Sequence, residues 1–108
     1  MTKADLVDLL ANVITGLDNL LTDDPLLQNP PLWQLVYALR KHLDDQQLDL
    51  LKTVLQEENA AYQTLTATIQ AAANSLEQVI GDMERIDDVI KYVTNISADI
   101  DQVLHLVA

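Results

Sequence analysis

The sequence predicts an all-α protein, an antiparallel helical bundle with a long, heptad-patterned helix in its C-terminal half. Leu, Asp and Ala are the commonest residues, and the 108 residues include only two Gly and three Pro. Apolar residues recur at spacings of three and four over long stretches, which is the period of an amphipathic helix. Phe is absent, and few turn residues punctuate the chain, so strands are disfavoured.

The first predicted helix covers residues 3–22. Thr2 and Asp5 have the spacing of a capping box, which favours a helix start at this point. The helix should end before Pro25, because proline disfavours helical backbone at the preceding residue. Its apolar stripe continues for about five turns and consists of Leu6, Val7, Leu10, Val13, Ile14, Leu17, Leu20 and Leu21.

The second predicted helix covers residues 31–43 and follows a proline-containing linker, DDPLLQNPP. Asn followed by two prolines is typical of a helix cap and first turn. Trp33 and Tyr37 lie beside its apolar face. We expect Trp33 to anchor the core. As an alternative, Trp33 and Tyr37, together with Tyr62, are candidates for an interaction hot spot or for the wall of a pocket. The DDQQ segment at 44–47 is expected to be a tight connection.

The third predicted helix covers residues 45–107 and contains two heptad columns. Sixteen of the 18 column positions are apolar, and the exceptions are Glu58 and Ser97. A polar residue in such a column usually determines register and partner number, and we expect this role for both residues. The columns are Leu48, Leu55, Tyr62, Ile69, Leu76, Met83, Ile90, Ser97 and Leu104, and Leu51, Glu58, Leu65, Ala72, Val79, Ile86, Val93, Ile100 and Val107.

The stretch AAANSLEQVIG at 71–81 raises the question of whether this helix turns or continues. Asn74 could cap a new helix, and Gly81 could end one. The three alanines favour helix, however, and Leu76, Val79 and Ile80 keep the apolar column intact. We therefore expect a continuous helix, with a break at 74–81 as the alternative.

A continuous helix of this length would expose its apolar stripe, so it would need a partner. Antiparallel pairing about a point between residues 77 and 78 places Glu58 beside Ser97. We therefore predict an antiparallel homodimer, and the alternative is a monomeric antiparallel four-helix bundle. The predicted interface consists of Glu58, Leu76, Val79, Met83, Ile86, Ile90, Val93 and Ser97.

The charge balance excludes two classes of partner. The net charge is −11, with only six Lys and Arg residues, whereas nucleic-acid and anionic membrane surfaces are bound by cationic side chains. The longest apolar run, LVYAL at 35–39, is far shorter than the ~20 residues that a transmembrane helix requires. No signal peptide is evident at the N-terminus, so we expect a cytoplasmic protein.

No motif for catalysis, cofactor or metal is present. The chain has no Cys and no Gly-rich phosphate loop, and no Glu-x-x-His pair of the kind that di-iron bundles use. Most carboxylates fall on outward helix positions, where a solvated role is expected. The sequence therefore predicts a protein that is not an enzyme and has no cofactor.

The leading functional hypothesis is a non-enzymatic protein–protein interaction or oligomerisation module. One alternative is a small-molecule-binding helical bundle with a pocket near Trp33, Tyr37 and Tyr62. Another is an acidic mimic of nucleic acid that occupies a basic protein.

Overall fold

A computed structural model describes residues 1–106 and confirms the all-α class, with five α-helices and no strand in that range. Val107, the last predicted column position, lies outside the described residues. The folded chain measures 45 × 23 × 18 Å along its principal axes. Its helices are α1 (Lys3–Leu21), the short α2 (Asp24–Leu27), α3 (Pro30–Lys52), α4 (Ala60–Val79) and α5 (Ile86–Leu104), with a 3₁₀ turn at Met83–Arg85.

Helix α1 begins and ends where the sequence predicts. The Thr2 hydroxyl accepts a hydrogen bond from the Asp5 backbone N–H, and the Asp5 carboxylate accepts one from the Thr2 N–H, each at 3.1 Å. This is the capping box, and it satisfies two N–H groups that a helix start leaves without partners. The bonds from Thr2 also hold the pKa of Asp5 below its ordinary value.

Helix α3 is longer than predicted. It begins at Pro30, with the Asn29 side chain accepting from the Leu32 N–H at 3.4 Å, but it continues to Lys52 instead of ending at 43. The expected connection at 44–47 is therefore wrong. Leu43, Gln46 and Leu50 are all buried and keep the helical spacing of three and four, and no Gly or Pro interrupts the segment.

The predicted helix from 45 to 107 is not continuous. It is interrupted at 53–59 and again after Val79. At the first break the Asn59 side chain caps α4 by accepting from the N–H groups of Ala61 and Tyr62. At the second, the Asp82 carboxylate accepts from the Glu84 N–H at 3.0 Å and begins the 3₁₀ turn. This second break lies at the C-terminal edge of the 74–81 window named as the alternative.

The four long helices form a ring in the order α1, α3, α5, α4, because each packs against its two neighbours in that order. Hydrogen bonds at both ends show that α1 and α3 are antiparallel. At one end the Trp33 indole N–H donates to the Leu21 carbonyl at 2.9 Å. At the other, the Lys3 ammonium donates to the carbonyls of Leu51 (3.0 Å) and Thr53 (2.8 Å).

One apolar core lies inside this ring. All four long helices contribute to it, and its members include Leu10, Leu43, Ile69 and Ile100, each with no exposed surface. From Tyr62 to Leu104 the two heptad columns meet within one chain through the α4–α5 hairpin, whereas Leu48 and Leu51 lie exposed on α3. The physical reason for expecting a dimer through a long helix, an exposed column along its whole length, is therefore absent.

Candidate interaction surfaces

The two predicted register residues do not meet. Ser97 is buried on α5, whereas Glu58 is exposed in the segment 53–59. The expected pairing failed because the chain leaves the helix at Thr53, before it reaches Glu58. The hairpin also turns after Val79 instead of between residues 77 and 78. The polar layer of Glu58 and Ser97 is therefore a wrong prediction.

Ser97 instead belongs to a polar cluster with Gln46 and Asp101 between α3 and α5. The Gln46 amide N–H₂ donates to the Ser97 carbonyl at 2.9 Å and to the Asp101 carboxylate at 2.8 Å. The Ser97 hydroxyl donates to the Gln46 amide oxygen at 3.1 Å. Gln46 is only 2% exposed, yet all its polar atoms are bonded, which removes the cost of burying them. Its spacing from Leu43 and Leu50 was the sequence signal for burial.

Of the other predicted interface residues, all but Ile90 belong to the intramolecular core or pack against it. Leu76, Val79 and Val93 are at most 3% exposed. Met83, Ile86 and Ile90 are half-buried, near the turn of the α4–α5 hairpin.

The three aromatic residues named as a possible pocket lie at opposite ends of the bundle. Trp33 and Tyr37 stack on each other, with ring centroids 5.3 Å apart and planes 7° from parallel. They lie near the C-terminus of α1, to which the Trp33 indole is bonded. Tyr62 is in the first turn of α4, at the end of the bundle where α1 begins. Within residues 1–106, these three side chains therefore do not line one pocket together.

Tyr62 is 1% exposed, and its hydroxyl has no hydrogen-bond partner among residues 1–106. Burial raises the pKa of this phenol, and the negative charges of Glu57 and Asp5 raise it further. An unpaired buried hydroxyl costs free energy, so Tyr62 fills the core with its ring while its oxygen opposes folding.

A groove of about 630 Å³ lies between α1 and α4, and we call it the α1–α4 groove. Its floor includes Leu9, Val13 and Leu76, and its rim carries the carboxylates of Asp5, Asp8 and Glu77. Gly16 and Ile80 also line it, and a Cβ atom on Gly16 would come within 2.8 Å of the Ile80 Cδ1. The absence of a side chain at Gly16 therefore permits the close approach of α1 to Ile80, the residue that follows α4.

Helix α3 carries most of the large apolar side chains that remain in water. Leu35, Tyr37, Leu48 and Leu51 are between 45% and 55% exposed, and Val54 just beyond the helix is 80% exposed. Tyr37, Lys41, Asp44 and Leu48 follow one another at spacings of four, three and four. Such spacing puts them on one helix face, and we call these four residues the α3 ridge.

The charged residues of the α3 ridge make few ion pairs within residues 1–106. Arg40, next to the ridge, bonds to the Asp18 carboxylate at 2.8 and 3.4 Å, and this contact raises the pKa of the guanidinium. Asp44 approaches Arg40 only to 3.9 Å, and 44% of its side chain is exposed. Lys41 makes no salt bridge within residues 1–106.

The chain matches no known protein family model, and comparison with curated proteins and with solved structures found no match. Among the described helices, none combines the length and the apolar character needed to cross a membrane. Over the same residues, no three His, Asp or Glu side chains come together as a metal site would require.

Proposed function

We propose that this protein is a non-enzymatic interaction and oligomerisation module that binds protein partners through the exposed face of α3. The observation that carries the proposal is the group of solvent-exposed apolar residues formed by Tyr37, Leu48, Leu51 and Val54. These residues are exposed although the chain has a filled core in which apolar side chains of its four long helices are buried.

The energetics of solvation support a partner on this face. Burying apolar surface yields roughly 25 cal/mol per Å², and exposed apolar patches on soluble proteins often mark interaction sites. Aromatic anchors such as Tyr37 are enriched among residues that dominate binding energy. The net charge of −11 opposes indiscriminate association, so a bound partner must match the face in shape and charge.

A second candidate function, small-molecule binding, is favoured by the α1–α4 groove. Its volume of about 630 Å³ falls in the ~300–1,000 Å³ range of ligand pockets. The apolar floor and the carboxylates of Asp5, Asp8 and Glu77 suit an amphiphilic cation. The acidic-mimic hypothesis has less support, because the carboxylates are spread over all four long helices instead of being concentrated on one face.

Site-specific photo-crosslinking tests the leading proposal. A benzophenone side chain is introduced at Leu51, and the matched control carries it at Ala71, which is exposed on α4. In cells that naturally make the protein, we expect a defined cross-linked protein at position 51 and none at 71. Excess unlabelled protein should compete for it, whereas a Leu48→Glu, Leu51→Glu double variant should not. Equal yields at both positions would contradict the proposal.

A further inference from the structure

The α3 ridge has the same pattern in both chain directions. Its order is apolar, charged, charged, apolar, with spacings of four, three and four. When the ridge is taken in the opposite chain direction, Tyr37 exchanges places with Leu48, and Lys41 exchanges places with Asp44. The ridge is therefore complementary to a reversed copy of itself, which is the property that a two-fold symmetric interface requires.

We propose that two copies of this chain associate through antiparallel α3 helices, with Tyr37 facing the partner's Leu48 and Lys41 facing the partner's Asp44. The proposal rests on the proposed function, because it names the partner of the same α3 surface. It differs from the dimer expected from the sequence, in which a long C-terminal helix formed the interface.

The apolar ends of the ridge supply the contact surface. Tyr37 is 46% exposed and Leu48 is 49% exposed, so each has a free side and a side supported by its own chain. The stack of Tyr37 on Trp33, whose indole is bonded to the Leu21 carbonyl, orders the tyrosine ring before association. Side chains that are already ordered lose less entropy on binding.

The charged centre of the ridge selects the antiparallel register. Two-fold symmetry produces two Lys41–Asp44 contacts for each dimer. Within residues 1–106 Lys41 makes no salt bridge, and Asp44 makes only the 3.9 Å approach to Arg40. Parallel pairing would instead oppose Lys41 to Lys41 and Asp44 to Asp44, and like charges placed opposite each other are unfavourable. Charge contacts thus determine the register, while the apolar ends contribute the burial.

Charge reversal tests this register. Analytical ultracentrifugation from about 1 to 200 µM, a range that covers weak homodimers, should show dimerisation of the wild-type chain. Lys41→Asp alone and Asp44→Lys alone should each weaken the dimer at least about tenfold. Combining both substitutions in one chain should restore it, because each new Asp then faces a new Lys. Circular dichroism verifies that every variant is folded.

Leu35→Glu is the matched control. Leu35 is also on α3 and is 45% exposed, but it lies two residues from Tyr37 and hence roughly 160° around the helix. This substitution should leave the dimer intact.

Failure of this inference is distinguishable from failure of the proposed function. A wild-type chain that is monomeric at about 200 µM but cross-links from position 51 to a different protein overturns the dimer and supports the interaction module. A dimer that neither charge reversal weakens overturns the register. A monomer with no specific cross-link at position 51 overturns both.

Discussion

The Tyr62 side chain carries a hydroxyl group whose burial opposes folding. Its hydroxyl is buried and has no hydrogen-bond partner among residues 1–106. Leaving such a group unpaired costs about 1–3 kcal/mol, and Phe keeps the ring while removing the oxygen. Tyr62→Phe should therefore raise the free energy of unfolding by about 1 kcal/mol, measured by urea denaturation.

Tyr62→Leu is the control for this prediction, because it removes the ring as well and should destabilise the protein. Destabilisation by Tyr62→Phe itself would show that the hydroxyl is bonded in solution and that its oxygen contributes to stability.

Two hydrogen bonds join Gln46 on α3 to Ser97 on α5. Removing either partner leaves the other unsatisfied in a buried position, so Gln46→Ala and Ser97→Ala should each cost about 1–3 kcal/mol. The double variant should cost less than the sum of the two, with a coupling energy of at least about 1 kcal/mol in a double-mutant cycle. Thermal and urea unfolding of the four proteins measures it.

Gln34→Ala is the matched control, since Gln34 is an exposed glutamine on the same helix. Its effect should stay within about 0.5 kcal/mol. Strictly additive effects of Gln46→Ala and Ser97→Ala would mean that the two side chains do not act together, and would contradict the assigned role in α3–α5 packing.

At the level of helices, the sequence predicted the helix starts well where a capping residue is present. The starts of α1 after Thr2 and of α3 after Asn29 follow from local hydrogen bonds that the residue types alone indicate. The break after Val79 was the alternative and not the leading prediction, because the apolar column continues through the turn. Ile80 is half-buried in this turn, so its burial does not require a continuous helix. The Asp82 carboxylate caps the 3₁₀ turn that follows.

The polar contacts across the bundle could not be predicted, because they join residues about 50 positions apart. Lys3 caps the end of α3 through Leu51 and Thr53, and no periodicity in the sequence pairs these residues. From Tyr62 onward the heptad columns identify mainly buried and half-buried side chains, whereas the column members Leu48 and Leu51 are exposed. Several helix arrangements can bury the same set of side chains. The columns therefore predicted the core of the α4–α5 hairpin, but not that the chain turns after Val79 to form it.

The whole molecule carries a net charge of −11, and self-repulsion at neutral pH opposes the compact state. Asp99 opposes folding for a separate reason, because it is half-buried on α5 and burial raises its pKa above the ordinary 3.8. A raised carboxyl pKa in the folded state disfavours folding at pH values above it. This penalty disappears as the pH falls through the folded pKa towards 3.8.

Asp99→Asn should therefore raise the melting temperature at pH 7, and its advantage over the wild-type chain should shrink as the pH is lowered towards about 4. Asp45→Asn removes one exposed charge and separates the effect of burial from that of net charge. Thermal unfolding by circular dichroism at each pH provides the comparison. If Asp99→Asn and Asp45→Asn stabilise the protein equally at pH 7, repulsion alone explains both and the burial of Asp99 contributes nothing.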